Sequence, residues 1–131
     1  MRPCAIKKMV DMHNLKEIKV LRKAIELSAL IYVTVSNFPM EEKYGLTSQI
    51  RRSAVSIASN IAEGAGRFST KEFIYFLGIA NGSSYELQTQ LMIAHELKLI
   101  EKQALEDLLS KIEEIQKMIF GFCKKLKKGL A

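Results

Sequence analysis

The sequence predicts an all-α fold, an antiparallel up-down-up-down four-helix bundle formed by residues 1–131 as a single domain. Three observations point there. Helix formers dominate a composition that is 48% hydrophobic and 26% charged, with two prolines, seven glycines and no tryptophan. Four segments place apolar residues at three- and four-residue steps. The breaks between those segments carry helix stop and start chemistry. A chain of 131 residues suits one compact domain, which buries roughly two thirds of its unfolded surface.

The first helix is expected over residues 15–38, with Ile18, Leu21, Ile25, Ser28, Tyr32 and Val35 as its buried stripe. It should end at Phe38-Pro39, because proline lacks an N–H and disfavours helical geometry in the residue before it. The loop MEEKYGL follows, and Thr47 is the expected N-cap of a second helix whose stripe is Ile50, Ala54, Ile57, Ala58 and Ile61. Glu63-Gly64-Ala65-Gly66 offers two glycines able to take a left-handed closing conformation. Ser69 and Glu72 have capping-box spacing, so a third helix starts at once. Its stripe is Phe73, Phe76, Leu77, Ala80, Ser84, Leu87, Leu91 and Ala94, and it should reach Leu99. Gly78 and Gly82 lie inside it, where glycine costs about 1 kcal/mol relative to alanine, which suggests a close approach by another helix. The fourth helix follows a connection at residues 100–103, with Leu105, Leu108, Ile112, Ile115, Ile119 and Phe122 as its stripe. Residues 1–14 show no period and read as a loose arm, and residues 124–131 as a basic tail.

Several function classes find no support. No apolar run reaches the ~18 residues that cross a bilayer, and charges occupy the opening where a signal peptide would be apolar, so the expected place is the cytoplasm, away from membranes. Cys4 and Cys123 read as two thiols, and neither His13 nor His95 has ligand-spaced partners, so no metal or cofactor is expected. The Glu-x-x-His pattern of di-iron bundles is absent. Gly64-Ala65-Gly66-Arg67 follows a helix, whereas phosphate-binding glycine loops follow a strand. Nothing places a nucleophile beside a base, so no catalytic residue is assigned and the chain reads as a non-enzyme.

The formal net charge is +6, which biases partners toward RNA, DNA or another acidic surface. The candidate phosphate-binding residues are Arg51, Arg52, Arg67 and Lys71, with Lys124, Lys125, Lys127 and Lys128 in the tail. Against that stands a plain reading in which Glu63 and Arg67 form an i,i+4 pair and the tail lysines answer the helix dipole. Aromatics fall mostly within apolar stripes, so backbone recognition is expected rather than base stacking. A second class of function is self-association or protein docking through Ile31, Phe68, Ile74, Tyr75 and Ile79. A structural signature is expected from Asn60, Glu63, Gly64, Gly66, Ser69, Glu72, Gly82 and Glu86, with Glu86 partly buried against Arg51 or Arg52.

The blocks QIRRSAVSIASNIAEG, GR-x-S-x-x-EF, FL-x-IA and GSSYEL stand in that order within residues 46–91, after IYVTVSNFPMEEKYGL. They resemble the core signature of the bacterial four-helix-bundle family encoded within intervening sequences of 23S ribosomal RNA genes. Similar proteins include the accessory variability determinant of diversity-generating retroelements. The resemblance implies a homo-oligomer, with a pentameric ring favoured, and no catalytic activity. It also adds a reverse transcriptase to RNA and DNA as a partner.

Overall fold

The computed structural model describes residues 18–130. Four helices follow in order: α1 Lys19–Val35, α2 Leu46–Ala65, α3 Thr70–Glu96 and α4 Lys102–Lys128, with a 3-10 turn at Met40–Glu42 after α1. Consecutive helices pack on one another and α1 closes against α4, the order that short connections impose on a bundle. One apolar core draws side chains from all four helices.

On α1 the buried line is Val20, Leu21, Ala24, Leu27, Ile31 and Val35. Ile25 and Tyr32, expected inside, are 55% and 45% exposed. Two apolar lines at helical spacing run along this helix, and the purely aliphatic one is buried because a buried Tyr32 would need a partner for its hydroxyl. Ser28 sits at the seam, where its hydroxyl donates to the carbonyls of Ala24 and Ala54 at 3.0 Å each. Ile31, expected at a docking surface, is fully buried. The helix stops at Val35, before Phe38, and the Ser36 hydroxyl donates to the Val33 carbonyl at 2.6 Å. The loose arm at residues 1–14 and the start of the helix at 15–17 lie outside the described residues.

The N-cap of α2 is Gly45, not Thr47. The 3-10 turn brings the chain round early: the Gly45 N–H donates to Glu42 O, and Gly45 O accepts from the Gln49 N–H at 3.0 Å. Thr47 therefore falls inside the first turn with its side chain buried. Small residues let α2 and α3 pack closely, and Ser56 Oγ and Ser83 Oγ meet at 2.8 Å between them.

Glycine does the opposite of what the spacing suggested. No described glycine has a positive φ, and Gly66 closes α2 at φ −82°. Gly64 is instead the point of close approach, since a Cβ there would lie 2.8 Å from both Phe73 Cδ1 and Phe76 Cβ. Gly78 and Gly82 have nothing within 4 Å of such a Cβ, so they face outward on α3. Ser69 Oγ accepts the Glu72 N–H at 3.1 Å as the capping box requires, whereas the Glu72 carboxylate lies 3.7 Å from Arg67.

α3 ends at Glu96 rather than Leu99 because Lys98 adopts φ 60°. The Leu99 N–H then donates to Ala94 O and the Lys98 N–H to His95 O, each at 2.9 Å, which is the Schellman closure. A non-glycine residue in this conformation is strained by roughly 1–2 kcal/mol. Lys98→Gly is therefore expected to raise stability by about 0.5–1 kcal/mol, part of the relief being offset by the freer unfolded chain. A lower denaturant midpoint for this variant would contradict the assignment. On α4 the residues expected as a tail are helical: Lys124, Lys125, Lys127 and Lys128 occupy its end, with Leu126 buried among them.

Candidate nucleic-acid interface

The up-down order gathers the start of α1, the end of α2, the start of α3 and the end of α4 at one end of the bundle. A groove there is lined by Ile18, Lys19, Thr70, Phe122, Lys125 and Leu126, which brings the termini of α1, α3 and α4 together, and Gly64 near the end of α2 lies against Phe73 and Phe76 of α3. Lys19, Lys71, Lys124, Lys125, Lys127 and Lys128 all belong to this end and are all exposed. None of them forms an ion pair among the described residues. The carboxylates nearby in sequence, Glu63 and Glu72, are both engaged by Arg67 at 2.9 and 3.7 Å.

Arg67 is thus held as a staple between α2 and α3. Its guanidinium also lies 4.8 Å from the centre of the Phe76 ring. With side-chain exposures of 41% and 52% for Arg67 and Glu63, the ion pair contributes at most about 1 kcal/mol. Arg67 remains half-exposed at the edge of the basic end, beside Phe68, whose ring is 91% exposed. Phe120 is also exposed, with the Lys124 ammonium 5.9 Å from its ring centre. Phe68 is exposed as expected of a residue outside the core stripes, and Phe120, which belongs to no expected stripe, is exposed as well.

Arg51 and Arg52 do not join this cluster. From Arg52 to Ala65, the last residue of α2, thirteen residues span about 20 Å. The Arg51 guanidinium stacks 5.0 Å from the Tyr32 ring centre, and Arg52 is exposed. Both line a cleft between α2 and α3 with Gln49, Ser53, Glu86 and Gln90. Glu86 is not buried against an arginine: it is exposed, and its carboxylate accepts from the Ser53 hydroxyl at 3.2 Å. Asn60 Nδ2 donates to the Ser56 carbonyl at 2.9 Å and to its hydroxyl at 3.0 Å, so it serves the middle of α2 rather than its end.

Sequence reasoning missed the partnership of Arg51 with Tyr32, and the second apolar line on α1 was the signal that could have found it. Of the expected docking residues, Tyr75 and Ile79 are exposed on α3 beside the open Gly78 and Gly82, whereas Ile74 packs against the core. Burial pushes the Cys123 thiol up from its ordinary value, against a smaller opposing pull from Lys127, so it stays protonated at neutral pH. Among the described residues no group of three or more His, Cys, Asp or Glu side chains could hold a metal, and no helix is long and apolar enough to cross a membrane. Cys4 and His13 lie outside the described residues.

The sequence pattern of the family described as 23S rRNA-intervening sequence protein matches residues 16–121. Among solved structures, the chain is similar to a protein of unknown function from the S23 ribosomal protein family of Bacteroides thetaiotaomicron VPI-5482. The identity is 28%, the TM-score is 0.72, and the alignment covers 80% of this chain and 95% of that one. No curated protein matches.

Proposed function

Taking as premise that the chain belongs to the 23S rRNA-intervening sequence protein family, we propose that it is a non-enzymatic, self-assembling bundle whose basic end binds the phosphate backbone of RNA or DNA. The observation that carries this reading is the set of unpaired lysines from three helices at one end. The helix dipole accounts for the lysines that end α4, where cations are favoured. It does not account for Lys19 and Lys71, which sit in the first turns of α1 and α3, where the dipole disfavours a cation. An anionic ligand offsets that cost, because it is attracted by the ammonium groups and by the free N–H groups of a helix start alike.

Backbone binding of this kind is electrostatic and tolerant of sequence. With five or so phosphate contacts, affinity for a labelled RNA or DNA is expected to fall by about 10²–10³-fold between 50 and 200 mM salt, followed by fluorescence anisotropy. Replacing Lys125, Lys127 and Lys128 by alanine should flatten the salt slope by about one per lysine. Absence of binding at 50 mM salt would refute the reading.

A second reading is an adaptor that docks a protein, for which a reverse transcriptase is the partner we propose. The exposed Tyr75, Ile79 and Tyr85 on the outer side of α3 support it, since apolar and aromatic side chains on one helix face can seat a partner. Co-purification of a reverse transcriptase encoded beside this chain would favour it, and loss of that association on Tyr75→Ala would place the contact.

A further inference from the structure

Two aromatic rings stand open at the basic end. Phe68, in the turn between α2 and α3, is 91% exposed, and Phe120 of α4 is 68% exposed. A single bare apolar side chain is ordinary on a protein surface, but these two stand among cations. Phe68 follows Arg67 and is followed by the exposed Lys71 at the start of α3. Phe120 shares a face of α4 with Lys117, Lys124, Lys127 and Lys128, all exposed. At 100° per residue these five fall within an arc of about 100° that runs about 16 Å along the helix. The Lys124 ammonium lies 5.9 Å from the Phe120 ring centre. None of these lysines makes an ion pair among the described residues.

Both rings border one surface. Thr70, just after Phe68 in the chain, and Gly121, next to Phe120, line the same groove, which Lys19 and Lys125 also line. A ligand crossing that groove meets a ring on either side and lysines along the way. Duplex nucleic acid offers phosphates to such a surface but keeps its bases stacked inside. A single strand offers phosphates and bare base faces together, and rings interleaved with cations match both.

We propose that the basic end takes single-stranded nucleic acid, with unpaired bases stacking on Phe68 and Phe120 while Lys71, Lys117, Lys124, Lys127 and Lys128 hold the phosphates. The inference rests on the phosphate-binding reading above and names its substrate class. It departs from the expectation of backbone recognition without stacking, because the two open rings lie outside the apolar stripes on which that expectation was built.

Fluorescence anisotropy on the full chain at about 50 mM salt tests this, with labelled probes of about 20 nucleotides. The probes are an oligodeoxythymidylate, an oligouridylate, a strand of equal length whose sugars are all abasic, and a DNA duplex. The first two should bind about 10–100-fold more tightly than the abasic strand, which carries the same phosphates without bases. They should bind alike, since ring faces and phosphate contacts do not read the sugar. Phe68→Ala and Phe120→Ala should each weaken both by about 5-fold or more, leave the abasic strand and the duplex unaffected, and keep the helical circular dichroism, because both side chains are exposed. No binding of any probe overturns the phosphate-binding reading and this inference with it. An abasic strand bound as tightly as the oligodeoxythymidylate, affinities that either substitution leaves unchanged, duplex binding weakened to the same extent, or binding confined to one of the two sugars overturns the stacking site and leaves phosphate binding standing.

Discussion

Phe73→Ala is expected to destabilise the fold by about 3–5 kcal/mol, the range for removing a buried aromatic ring. The ring is fully buried and meets Phe122 of α4 edge-on, with centroids 5.2 Å apart. It also lies against the backbone of Gly64, so it joins α2, α3 and α4 at the basic end. Its loss leaves a cavity bounded by helices that cannot all close on it, and adds the loss of an aromatic pair to the loss of buried area. Chemical denaturation followed by circular dichroism should show a lower midpoint at unchanged slope. A shift under about 1 kcal/mol would mean that the helices repack and that Phe73 is not the joint described.

Gly64→Val is expected to cost about 3 kcal/mol, at the upper end of the range for forcing extra atoms into a packed interior. Its first added atom would lie 2.8 Å from Phe73 Cδ1 and Phe76 Cβ, and 3.2 Å from the Phe73 carbonyl oxygen. Neither the Phe76 Cβ nor the carbonyl can swing aside, so α2 and α3 must separate. Gly78→Ala and Gly82→Ala provide the contrast, since both positions are open. Each should gain up to about 1 kcal/mol from helix propensity. Equal effects at all three glycines would show that propensity rather than packing governs Gly64.

The candidate site was only partly legible in the sequence. Lys71 and the lysines that end α4 could be named from charge alone, yet their convergence with Lys19 depends on four helix termini meeting at one end. Arg51 and Arg52 could be named on the same grounds, but helix length carries them about 20 Å from the end of α2. Glu86 shows the limit from the other side. Its burial was inferred from the neighbouring Gly82, and that glycine turned out to face open space.

The helical class, the number of helices and most of the core follow from the sequence itself, because a period near 3.6 residues is set by backbone geometry that every segment shares. The half of the Ser69–Glu72 box that caps α3 follows for the same reason, since a cap is made by neighbours in the chain. Packing alone decided which of two apolar lines on α1 turns inward, and whether a glycine admits a neighbouring helix or lies bare. It also decided which cations stand together. Those outcomes depend on residues distant in sequence but adjacent in space, and no local spacing encodes the distance between two helices or the register at which they meet.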